Sequence, residues 1–203
     1  MKKLLAVLAV MMVPLSKSEA PKLGSEADPI LEGLFACQPM NVLVQQLKLD
    51  GSPGPFQTIP NSETRIQLWV WSALRELGER PDPQSGKEVL GVVVEVPMQG
   101  AYDTLAAYQE GSARYLNFSG AAIFWDARDA TIKSLCQRLF GSTIPESPRA
   151  VPRQDTMLPK AGTQVTLLTR SGMYAISAPP RSVMRAGSAL MLELMQRAKA
   201  KRN

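Results

Sequence analysis

Asp126, Arg128 and Asp129 place two carboxylates three residues apart beside a guanidinium. From such a set a cation site or a general acid and base could be built. The same residues also spell the start of a helix, where an aspartate accepts from free N–H groups and complements the dipole. Histidine is absent, which removes the commonest general base and the commonest metal ligand. No G-x-S-x-G elbow, phosphate-binding loop, dinucleotide fingerprint or S-x-x-K pair occurs. The sequence therefore points to no cofactor and no metal, and leaves a carboxylate-dependent hydrolysis at Asp126 and Asp129 as the enzymatic alternative.

A second group of residues suits binding. Tyr102, Tyr108 and Tyr115 with Arg114 form a Tyr/Arg-rich stretch of the kind that interface hot spots favour; ordinary cross-strand pairing accounts for the same residues. Residues 141–162 hold four prolines together with Arg149, Arg153 and Lys160, the makings of an extended docking strand or strap. Trp69 falls on a helical apolar face and Trp125 alternates with Ile123, so both read as core. Asn117-Phe118-Ser119 matches a glycosylation sequon, although its setting is a tight turn.

Cys37 and Cys136 are the two cysteines. Paired, they would close a loop of about a hundred residues and stabilise by up to ~4–5 kcal/mol; unpaired, each serves as a small buried hydrophobe.

Residues 1–20 have the parts of an export signal: Lys2 and Lys3, an apolar run from Leu4 to Leu15, and small residues before a cut after Ala20. Pro21 suits such a cut poorly, and the alternative is a cytoplasmic adaptor whose apolar start joins the core. The run is too short to span a membrane, and no other stretch of the sequence reads as a span. Residues 1–20 carry three lysines and one glutamate, so without them the formal charge falls from +5 to +3. Arg197, Lys199, Lys201 and Arg202 supply four of the positive charges that remain. The body is left near neutrality, without the basic stripe that nucleic acid requires. The tail offers at most a weak contact to an anionic surface.

These residues must be positioned by a regular framework. Of 203 residues 45% are apolar, enough for one domain of ordinary size, read here as 21–203 with Pro-rich loops at 50–61, 78–88 and 141–162. Asp28-Pro29 opens a helix, and Asn61 or Ser62 caps another that runs to about Leu77 on Ile66, Trp69, Val70, Ala73 and Leu74. Residues 42–49 fit strand or helix equally. The run from Leu90 to Val96, which Pro97 ends, begins a series of strands at 104–109, 112–118 and 121–126, then 164–169 and 173–177. Glu110-Gly111, Ser119-Gly120 and Ser171-Gly172 supply the hairpin turns. Helices follow Asp129 up to Gly141, with Ile132, Leu135, Cys136, Leu139 and Phe140 inward, and over 181–200. The expected fold is α+β: a mainly antiparallel sheet of about five to six strands built from Gly-turn hairpins, with helices on one face. The expected function is that of a non-catalytic, exported protein acting through contact with a protein partner.

Overall fold

A computed structural model of the protein describes residues 29–37, 63–99, 101–159 and 161–200. Residues 1–20, 42–49 and 50–61, the expected caps Asp28, Asn61 and Ser62, and Lys160, Lys201 and Arg202 lie outside them; the residue that precedes the helix at Thr64 is Glu63, whose side chain makes no capping bond. Four α-helices are described: α1 (Pro29–Phe35), α2 (Thr64–Glu76), α3 (Ala130–Thr143) and α4 (Arg181–Ala200). Seven strands make one sheet: β1 (Val89–Met98), β2 (Ala101–Tyr108), β3 (Ala113–Leu116), β4 (Ala122–Trp125), β5 (Val151–Arg153), β6 (Gln164–Thr169) and β7 (Gly172–Ser177). Their order is β4-β3-β2-β1-β6-β7-β5, and every pairing is antiparallel. The fold class is α+β, with one more strand than the upper expected number.

The hairpins turn where the sequence places glycine after a polar residue. Gly111, Gly120 and Gly172 have φ of +101°, +85° and +140°, values that favour a residue without a Cβ. At Gly111 space is also short: a Cβ would lie 2.7 Å from Lys133 Cγ and 3.2 Å from its Cα. The glycine thus lets the β2–β3 turn sit against α3.

Helices cover both faces of the sheet, which corrects the expectation of one. Leu34 and Phe35 by α1, with Leu68, Trp69, Ala73 and Leu74 of α2, pack on Leu90, Val93, Ala106, Tyr108 and Leu168. Ile132, Cys136 and Leu139 of α3, with Val183, Leu190 and Leu194 of α4, pack on Val92, Val94, Leu105, Ala107 and Val165. Central β1 is therefore buried on both sides, and its side chains need not alternate with polar ones. A register shift between Val89 and Gly91 turns Leu90 to the same face as Val93.

Two boundaries differ from the sequence reading for local reasons. Pro97 does not end β1, because pairing with β6 stops at Glu95 while Pro97 still pairs with Tyr102 of β2. On that side the missing N–H has no ladder bond to make. Helix α3 runs through Gly141 to Thr143, which is fully buried and donates its hydroxyl to the Leu139 carbonyl at 2.7 Å. Residues 144–149 form a 3₁₀ turn and lead into β5, so this Pro-rich stretch supplies an edge strand of its own sheet.

Candidate functional site

The buried polar centre is built on Glu95, the only charged residue between Leu90 and Val96 and 0% exposed. Arg153 reaches it from β5, with Nη1 2.6 Å from Oε2 and Nη2 3.2 Å from Oε1. Nη1 also donates to Thr166 Oγ1 at 2.7 Å, Nη2 to the Met157 carbonyl at 2.6 Å, and Nε to the Asp155 carbonyl at 2.7 Å. All five donors of the guanidinium fork are engaged, and the Phe35 ring lies 4.7 Å away. Burial pushes the Glu95 carboxyl above the usual carboxylate range; Arg153, Gln164 and Thr166 pull it back. Farther along the same stretch, the Tyr102 hydroxyl donates to the Pro159 carbonyl at 2.7 Å and Leu158 joins the core. Residues 154–159 thus lie on the face of their own sheet, and Arg153 fastens them there. This corrects the reading of Arg153 as an exposed docking cation. Arg149 stands on the surface, paired with Glu146 at 2.9 Å.

The tyrosines do not share an edge. Tyr102 and Tyr108 are buried on the α1/α2 face and Tyr115 on the α3/α4 face. Tyr108 donates to the Leu34 carbonyl at 2.7 Å, and burial pushes its phenol up to about 12. Tyr115 donates to Asp103 Oδ2 at 2.9 Å, and burial followed by that bond raises its phenol as well. Their hydroxyls hold the fold together and offer no common surface.

The acidic pair separates into two local tasks. Asp126 accepts from Arg128 N at 3.0 Å and Nε at 3.2 Å. Asp129 caps α3 by accepting from Thr131 N at 3.0 Å and Ile132 N at 3.1 Å, and it also pairs with Arg197 of α4. The Ile132 N–H, the Arg197 charge and the Thr131 N–H hold its carboxyl below the usual range. Among the described residues no group of three Asp, Glu or Cys side chains gathers as a metal site.

Cys37 and Cys136 are both free and pack on opposite faces of the sheet, which corrects the pairing held open by the sequence. Burial first, then Glu32, raises the Cys37 thiol to about 12; burial and then Glu110 do the same to Cys136. The Asn117 side-chain oxygen accepts from Ser119 N, Ser119 Oγ and Ala121 N, so the sequon residues build the β3–β4 turn.

The surface feature that survives is the outer edge of β4. Among the described residues no strand pairs with it. Asn117 N donates to the Ala121 carbonyl at 2.9 Å, so these two residues face one another. Antiparallel alternation then turns Ile123 and Trp125 toward β3, and the N–H and C=O groups of Ala122 and Phe124 outward. Phe124 is 51% exposed, and the Arg114 guanidinium lies 5.1 Å from its ring centre. Among the described residues no carboxylate forms an ion pair with Arg114. Its pKa is lowered by burial and then by Arg65, with Glu63 and Glu110 acting the other way. The sequence reading found Arg114 through composition but missed Phe124. The signal available was a short apolar strand, Ala122–Trp125, without a charge inside it.

No family model matches this chain, and neither does any curated protein or solved structure.

Proposed function

We propose that this is a non-catalytic, exported binding protein that works through protein–protein contact at the open edge of β4. The observation that carries the reading is the difference between the two ends of the sheet. β5 has three residues with Pro152 at its centre, a length and composition that blunt an edge. β4 has neither proline nor charge, and it presents outward backbone groups beside an exposed phenylalanine. Such an edge takes up an extended segment by main-chain hydrogen bonds, while neighbouring side chains select it. Asp126 and Asp129 accept local hydrogen bonds from a turn and a helix start, which supports binding over carboxylate chemistry. The export-signal pattern of residues 1–20 supports the exported setting.

Photo-crosslinking in the native cell tests the reading. A photoreactive phenylalanine analogue at exposed Phe124 is expected to give a discrete protein adduct, and one at exposed Arg185 of α4 is not. Equal background at both positions would overturn the reading. A mature chain starting near Pro21 is expected; an intact Met1 would move the protein to the cytoplasm and leave the binding edge as it is.

A further inference from the structure

We infer that the occupant of the β4 edge is a second copy of this chain, joined strand to strand about a two-fold axis at Phe124. The inference rests on the reading of β4 as a docking edge and names its partner.

The edge is complementary to itself. Ala122 packs with the α1/α2 core while Ile123 and Trp125 pack with the other, so Phe124 stands on the α1/α2 face with its cross-strand neighbour Arg114. A two-fold axis perpendicular to the sheet keeps each face on its own side. Opposite residues must then share a parity, and the outward N–H and C=O groups must meet each other. An axis at Phe124 satisfies both conditions. Phe124 faces its own copy and Ala122 faces Asp126 of the other chain.

Charge completes the match. Arg114 is a cation without a carboxylate partner among the described residues, and its guanidinium already lies over Phe124. Asp126 follows two residues after Phe124, is exposed, and is held only through Arg128, whose side chain is 92% exposed. In the two-fold arrangement the Asp126 of one copy is the diagonal neighbour of the Phe124 of the other, one strand beyond Arg114, whose guanidinium already extends over that ring. Continued one residue past Trp125, the alternation of β4 puts Asp126 on the face where Arg114 lies. The same contact recurs on the other side of the axis, so one chain supplies both halves of the pair. A heterologous partner would need to bring its own carboxylate; this chain carries one in register. Four-residue strands make a small interface, and the dimer is accordingly weak and concentration-dependent.

Sedimentation equilibrium of the full chain, from micromolar to millimolar concentration, tests the inference. Wild type is expected to move from monomer to dimer. Phe124→Lys, Arg114→Glu and Asp126→Arg should each weaken association by about tenfold or more, with thermal unfolding showing that each variant is folded. The double variant Arg114→Glu, Asp126→Arg should recover association, because the reversed charges again attract one another across the two-fold axis, and a pair formed inside one chain would not restore it. A monomer at every concentration overturns the inference. So does a dimer indifferent to all three changes, which would lie on another face. If the chain stays monomeric while the Phe124 crosslink captures a different polypeptide, the occupant is wrong and the docking edge stands. If that crosslink also fails, both fall.

Discussion

The Arg153 guanidinium on β5 grips the Glu95 carboxylate on β1 across two intervening strands, β6 and β7. Both charges are almost wholly removed from water, with side-chain exposures of 6% and 0%. The pair ties the sheet's outer strand to its centre and fixes residues 154–159 between them. A buried pair adds little net stability over a well-packed apolar one, yet losing one partner strands a charge.

Glu95→Ala or Arg153→Met alone is therefore expected to cost about 3–5 kcal/mol in urea unfolding. Combining Glu95→Leu with Arg153→Met should recover much of that loss. A single variant within about 0.5 kcal/mol of wild type, the range of an ordinary surface change, would show that the pair carries no structural weight.

Asp129 predicts the response to acid. Its folded pKa lies below the ordinary value, so its contribution is present above the unfolded pKa, about 3.9, and is lost as pH falls through that value toward the lower folded one. Asp82, depressed chiefly by the Ser85 N–H, and Glu88, depressed chiefly by Gln109, act in the same direction. Tm should fall as pH drops below about 5. Asp129→Asn should lower Tm at neutral pH and flatten the fall. A Tm–pH curve for the variant parallel to that of wild type would contradict the assignment.

The layout of the sheet was largely legible, because glycine turns and apolar runs are local signals. Ser119-Gly120 and Ser171-Gly172 mark their hairpins in four letters or fewer of sequence. The second helical layer was missed, although the unbroken Leu90–Val94 run carried its signal, since a strand that does not alternate is covered on both sides. The fate of Arg153 was not legible. Whether an arginine in a Pro-rich stretch faces solvent or a lone Glu95 fifty-eight positions away depends on the path of the chain over the sheet. For the same reason Tyr102, Tyr108 and Tyr115, close in sequence, part to opposite faces. Phe124 escaped because an edge strand is defined by what does not pair with it.

The two thiols should behave as separate groups, Cys136 buried and Cys37 half-buried. In folded protein Cys37 and Cys136 are expected to react slowly with maleimide, and both to react at once in denaturant. Non-reducing peptide mapping should give two unlinked cysteine peptides. A linked pair would require both residues on one side of the sheet.

Gly111→Ala combines a positive φ with a collision against Lys133 and should destabilise by about 1–3 kcal/mol. Gly141→Ala, in α3 with nothing within 4 Å of the added carbon, should stabilise by about 0.5–1 kcal/mol. Equal effects at the two sites, measured by urea unfolding, would contradict the packing of the β2–β3 turn on α3.

Hydrogen exchange at single-residue resolution tests the β4 edge most directly. In dilute protein the amides of Ala122 and Phe124 should exchange rapidly, while those of Ile123 and Trp125, turned toward β3, stay protected. At a concentration or with a partner that occupies the edge, Ala122 and Phe124 should become protected too. Amides at these two positions that stay open under every condition in which the protein is associated would contradict the account.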